Sequence, residues 1–250
     1  MKWILAAMLL AGCATTRESG FLNRTMSRDG RTYRYVVWVP PVETRPLPIV
    51  LFLHGSGERG EDGLRQSEVG IGKAIRWNPQ RFPMIVVMPQ APPETRWLGP
   101  VADFAMAALD EATREFGGDP SRTYLTGLSL GGYGTWHLAL AHPDRFAALV
   151  PVCGGIVKPP SATSVQQSPL TQAEDPYGFT AERLRRIPVW MFHGAEDQLI
   201  PASESRQMKE RFERLGVAVR YTEYPGVGHN AWDPAYGEEE LWRWLLEQRR

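Results

Sequence analysis

Polar and apolar positions change rhythm along this chain. Residues 32–39 alternate, with Tyr33, Tyr35, Val37 and Val39 on one side, and residues 21–26 lie across an Asp29-Gly30 link from them. A two-residue Asp-Gly link between such runs predicts an antiparallel hairpin. After Pro40-Pro41 the alternation stops. The runs 47–54, 84–88, 123–127, 147–153, 188–193 and 217–224 are rich in apolar and β-branched residues without a clear period of two. Strands of that kind suit a parallel sheet covered on both faces.

Helical spacing fills the intervals. Residues 101–116 place Val101, Phe104, Ala108, Leu109, Ala112 and Phe116 on one stripe, and Gly117-Gly118 ends it. Residues 131–141 carry Tyr133, Trp136, Leu138 and Leu140 and stop near Pro143. Residues 203–215 open with Ser203, expected to cap the helix, and close at Gly216. Residues 238–246 form a last amphipathic segment with Leu241, Trp242, Leu245 and Leu246. A hairpin followed by alternating β and α segments predicts one α/β domain over residues 21–250. Its sheet is mostly parallel and doubly wound, with an N-terminal antiparallel hairpin and helices on both faces.

The chain of 250 residues is 43% hydrophobic, with 28 basic and 28 acidic residues. That balance lacks the basic footprint of a nucleic-acid binder, so no nucleic-acid partner is expected. The first residues stand apart. Met1-Lys2 is followed by an apolar run over residues 3–10, too short to span a bilayer, and then by Leu10-Ala11-Gly12-Cys13. These four residues resemble the lipobox of bacterial lipoproteins. The resemblance implies a signal peptide over residues 1–12, lipidation of Cys13 and a tether over residues 13–20. It implies membrane attachment through that lipid. Ala14 lacks the acidic retention signal of that family, which points to the outer membrane of a cell envelope. With Cys13 lipidated, Cys153 has no disulfide partner and reads as a small buried hydrophobe.

Candidate chemistry begins at Gly127-Leu128-Ser129-Leu130-Gly131, between a predicted strand and a predicted helix. Glycines on both sides of the serine let the backbone turn sharply, which is the context of a nucleophile elbow. A serine hydroxyl needs an adjacent base. On such an elbow the acid and then the base follow in chain order. Of the five histidines, only His229 sits late enough, in the loop Gly226-Val227-Gly228-His229. The acid lies on the loop after the strand 188–193, as Asp197 or its neighbour Glu196; Asp175 and Asp233 read as surface or capping residues. Acyl transfer also needs main-chain donors for an oxyanion. The amide of Leu130 is one, and the glycine-rich loop His54-Gly55-Ser56-Gly57 offers the other, at Ser56. Trp97 and Trp232 are candidate pocket-lining aromatics, and residues 154–186 are long enough for a small cap or pocket wall. No clustered metal-ligand spacing is present, so neither metal nor cofactor is expected.

Together these residues carry a resemblance. Leu53-His-Gly-Ser-Gly-Glu-Arg-Gly60, Pro89-Gln90 with Trp97, Gly127-x-Ser-x-Gly-Gly132, His193-Gly-x-x-Asp197 and Gly228-His229 are similar to bacterial carboxylesterases and predicted peptidases. Those proteins belong to the phospholipase/carboxylesterase and dienelactone-hydrolase branch of the α/β hydrolases. The resemblance covers residues 21–250 and implies an α/β-hydrolase fold with a Ser129–His229–Asp197 triad. The family's His-Gly-x-x-Asp pattern favours Asp197 over Glu196. Dienelactone hydrolase itself uses a cysteine nucleophile, and Ser129 departs from it. The implied activity is serine-dependent hydrolysis of a small carboxylic ester, short-chain or aromatic. Two other readings remain: a serine peptidase of the prolyl-oligopeptidase type, which usually adds a propeller domain, and a catalytically silent binding lipoprotein.

Overall fold

The computed structural model of the protein describes residues 18–163 and 165–250. Cys13 and its lipobox lie outside the described residues. No described helix is long and apolar enough to cross a membrane.

The hairpin forms from β1 (Gly20–Arg28) and β2 (Arg31–Val39), paired antiparallel with Arg28 opposite Arg31. Its link has positive φ at both residues, 50° at Asp29 and 73° at Gly30, the geometry that follows the twist of the flanking strands. Six further strands follow: β3 (Leu47–Leu53), β4 (Ile85–Pro89), β5 (Gly118–Leu128), β6 (Ala148–Val152), β7 (Trp190–Gly194) and β8 (Arg220–Tyr224). The spatial order is β1-β2-β4-β3-β5-β6-β7-β8, antiparallel from β1 through β4 and parallel beyond. The mostly parallel sheet with an antiparallel start is thus as the sequence predicts.

Among the described residues, seven α-helices cover it: α1 (Gly70–Trp77), α2 (Pro100–Phe116), α3 (Leu130–Ala141), α4 (Pro176–Leu184), α5 (Ser203–Arg214), α6 (Trp232–Gly237) and α7 (Glu239–Glu247). Alternate side chains of each strand feed opposite layers. Ile49, Leu51 and Leu53 pack with Phe104 of α2, Trp136 of α3 and Phe212 of α5. Val50 and Phe52 pack with Ile71 of α1 and with Tyr236, Leu241 and Trp242 of α6 and α7. Two apolar layers on one sheet explain why β3, β4, β6 and β7 are buried at every position.

The strand order fixes where chemistry can sit. From β3 the chain runs outward through α1 to β4, then back over the other face through α2 to β5. The loops leaving β3 and β5 therefore part at a topological switch point, where a crevice opens above the carboxyl ends of the strands. Leu53 and Gly127 pair there.

Some elements differ from expectation. α1, α4 and α6 were not anticipated. Ser203 does not cap α5; Ala202 holds the capping position, without a side-chain hydrogen bond. The strand expected from residue 217 starts at Arg220. The segment 154–186 carries α4, capped by Asp175, whose Oδ1 accepts from the Gly178 amide at 3.0 Å. Glu204 pins this segment to α5: its carboxylate accepts from the amides of Ile156 and Val157 and from the Tyr177 hydroxyl.

Candidate active site

Ser129 sits between β5 and α3 at φ 52°, ψ −114°, a left-handed conformation that costs a non-glycine residue on the order of 1–3 kcal/mol. The turn persists because the surroundings dictate it. The Ser129 amide donates to the Val152 carbonyl at 3.0 Å, and its carbonyl accepts from Gly132 at 2.9 Å. A Cβ on Gly131 would collide with the Leu53 carbonyl, and one on Gly127 with the Gly131 carbonyl. These two positions take glycine because the backbones of β3, β5 and α3 touch there.

The elbow aims the Ser129 hydroxyl at the loop after β8. His229 Nε2 lies 2.9 Å from Ser129 Oγ, and His229 Nδ1 lies 2.7 Å from Asp197 Oδ2. A carboxylate only accepts, so the proton belongs on Nδ1 and Nε2 is left to accept from the serine. The other oxygen of Asp197, Oδ1, accepts from the Leu199 and Ile200 amides, both at 2.9 Å. Burial alone would raise the Asp197 carboxyl. Hydrogen bonds from His193, His229 and the Ile200 amide outweigh it and hold the group well below the usual carboxylate range. Glu196 is exposed, and the structure brings Asp197 rather than Glu196 to the imidazole. The acid and base loops are pinned to each other, the Glu196 amide donating to the Val227 carbonyl at 2.9 Å.

His193, in β7, is a contributor beyond the three predicted side chains. It is fully buried and takes a hydrogen bond at Nδ1 from Ser205 Oγ. Its Nε2–H points at the Ile200 carbonyl (2.8 Å) and stands 3.4 Å from Asp197 Oδ2. The triad acid therefore has histidines on two sides.

The loop after β3 is built from inside. His54 is buried; its Nδ1–H donates to the Gly55 carbonyl at 2.6 Å, and its Nε2 accepts from the Ala91 amide at 2.9 Å. In a trans peptide the N–H points opposite to the C=O. Tying down the Gly55 carbonyl therefore turns the Ser56 amide away from His54. Gln90 holds the rest of the loop, its Nε2 donating to the Glu58 carbonyl and its Oε1 accepting from the Gly63 amide. Leu130, directly after the nucleophile, opens α3, where a first-turn amide has no carbonyl four residues back.

Burial drives the His54 pKa down to about 4, against a smaller upward pull from the Gly55 carbonyl. An unfolded histidine titrates near 6.5, so between there and about 4 the unfolded chain binds a proton that the folded chain excludes. Stability should fall as pH drops through that window, by on the order of 3 kcal/mol from this group. Urea midpoints at about pH 7.5 and about pH 4.5 test this. The wild type should lose more than His54→Asn, whose amide can still donate to Gly55; equal losses would remove His54 as the source.

Trp97 requires a correction. It does not line the cleft: it is 1% exposed, and its Nε1–H donates to the His54 carbonyl at 3.0 Å. Its ring also packs where a Cβ on Gly134 would sit, so it supports the loop and the elbow helix from beneath. Trp232 does face the site, its ring edge-on to His229 with centroids 5.4 Å apart. A cleft of about 290 Å³ opens over Ser129 and His229. Ser56 and Glu58 contribute polar lining, and Ala162, Val165 and Ile200 apolar lining. The segment 154–186 thus supplies a pocket wall. Cys153 is fully buried beneath the elbow, and burial pushes its thiol pKa up.

Comparison with known proteins places this geometry. The model of the prolyl oligopeptidase family matches residues 99–248, which include all three converging side chains. A crystal structure of a thermostable esterase is 31% identical, with a TM-score of 0.77 over 92% of this chain and 63% of that one. An S-formylglutathione hydrolase from Staphylococcus aureus superposes with a TM-score of 0.70 at 17% identity, over 92% of this chain and all of that one. An uncharacterized secreted protein from Arthroderma benhamiae is 25% identical over 83% of this chain, which spans only 24% of that protein. The fold is the α/β-hydrolase fold.

Proposed function

The chain belongs to the prolyl oligopeptidase family, and from that premise we propose that it is a serine hydrolase that cleaves small carboxylic esters. Ser129 is the nucleophile, His229 the general base and Asp197 the acid that orients it. The observation that carries this reading is the continuous hydrogen-bond chain from Ser129 Oγ through His229 to Asp197, at 2.9 and 2.7 Å.

The chemistry follows from that chain. His229 Nε2 takes the Ser129 proton as Oγ attacks the ester carbonyl, and the carbonyl π electrons move onto oxygen. The amides of Ser56 and Leu130 receive that oxyanion. Its collapse expels the alcohol, which takes the proton back from His229 and leaves an acyl-serine. Water, deprotonated by the same imidazole, then releases the acid.

Ester rather than peptide is favoured by the size of the cleft, about 290 Å³, which Ser161, Ala162, Thr163 and Val165 help to bound. It suits a short or aromatic acyl group better than an extended chain. The esterase name of the 31% identical neighbour points the same way. Family membership itself supports a second reading, cleavage beside proline in a peptide. Both are tested by kcat/KM on 4-nitrophenyl acetate, butanoate and palmitate, a feruloyl ester and a prolyl 4-nitroanilide. The short or aromatic esters should be turned over fastest. Anilide cleavage without ester cleavage would install the peptidase reading, and a preference for emulsified palmitate would overturn the short-acyl assignment.

A further inference from the structure

Glu58 is an unexplained feature of the cleft. It lines the same cavity as Ser129 and His229, on the turn Ser56–Glu58. Its Oε2 is buried without a hydrogen-bond partner among the described residues. A Cβ on Gly55 would lie 3.1 Å from this oxygen and 3.7 Å from Ser129 Cβ, so carboxylate and nucleophile flank one glycine. The nearby cationic candidates are committed elsewhere. His54 Nδ1, 4.0 Å away, gives its proton to the Gly55 carbonyl, and Arg59 donates to the carbonyls of Ser56 and Thr95. Among the described residues, no lysine or arginine lines the cleft.

An orphaned buried carboxylate oxygen is costly. Here it carries a second cost, because negative charge beside the Ser56 amide opposes the negative charge that develops on the substrate oxygen. Burial raises the Glu58 carboxyl, against a smaller downward pull from the Gly55 and Glu58 amides, which eases both costs without removing either. A cation brought by the substrate would remove them together. We propose that Glu58 is a specificity-determining residue that selects esters carrying a protonated amine a few bonds from the scissile carbonyl. The proposal rests on the esterase reading above. The ammonium donates to the Glu58 carboxylate while the ester carbonyl faces Ser56 and Leu130, so one ion pair orients the substrate and offsets the unfavourable charge. Because Gln90 clamps the Glu58 backbone, the carboxylate is presented from a fixed loop.

Isosteric esters separate charge from size. Ethyl β-alaninate is compared with ethyl butanoate for a cation on the acyl side, and 2-(dimethylamino)ethyl butanoate with 3-methylbutyl butanoate for one on the alcohol side. Wild-type kcat/KM should favour the cationic member of at least one pair by about tenfold or more. In Glu58→Gln the ratio of kcat/KM for the cationic member to that for the uncharged member should fall to about one. A purely structural role for Glu58 would lower both members alike. No cationic preference in the wild type overturns the proposal whether or not the variant folds, as does a preference that survives in Glu58→Gln. Turnover of uncharged esters alone would sink this inference and leave the esterase reading standing; absence of turnover on all four would sink both.

Discussion

Changing His229 to alanine is expected to lower kcat by about 10⁶-fold, as for removal of the base from a serine protease triad, and to leave the fold intact. The size follows from the geometry. Among the described residues, His229 Nε2 is the hydrogen-bond acceptor for Ser129 Oγ, and without it the hydroxyl keeps its proton at neutral pH. The fold should survive because His229 stands in a loop, and Asp197 keeps the Leu199 and Ile200 amides as partners. Ester turnover and thermal melting of the variant check both halves. A loss smaller than about tenfold would mean that another group deprotonates the serine.

The second large effect is expected at the acid. Asp197→Asn preserves shape but not hydrogen-bonding sense. Oδ1 accepts from two backbone amides, so the carbonyl oxygen of an asparagine should take that place and turn its NH₂ towards His229 Nδ1. The imidazole must then accept at Nδ1 and carry its proton on Nε2, which faces Ser129 as a donor and can no longer take the serine proton. A fall of about 10⁴-fold in kcat is expected, with KM little changed. Asp197→Ala removes the orienting group without imposing the wrong tautomer. If asparagine cost less than about tenfold, the tautomer of His229 would not depend on this acid.

Much of this site was legible because its constraints are local. Gly127 and Gly131 mark backbone contacts between β3, β5 and α3, and a serine midway between them at a strand–helix junction has few other uses. The buried strands were legible from their composition, since a sheet covered on both faces cannot alternate. What stayed hidden depends on contacts distant in sequence. Trp97 sits in a loop, and nothing in the local sequence says that its indole turns inward to the His54 carbonyl rather than outward to a ligand. His193 ends a strand and reads as core; only the return of the following loop brings Asp197 beside it. α1 was masked by Gly70 and Gly72, which look like breakers. A Cβ on Gly72 would strike the Ser67 carbonyl, so that glycine is there for close approach, not for a turn. Pro234 hid the one-and-a-half turns of α6 in the same way. Glu58 was visible as a letter in a motif, but its lack of a partner was not.

The central claim is that Ser129 is activated by the imidazole it faces. Its most direct test is covalent labelling with a fluorophosphonate followed by peptide mass mapping. A single stoichiometric adduct is expected on the peptide containing Ser129, absent in Ser129→Ala and slowed severely in His229→Ala. An adduct on another residue, or labelling that persists unchanged in Ser129→Ala, would contradict it.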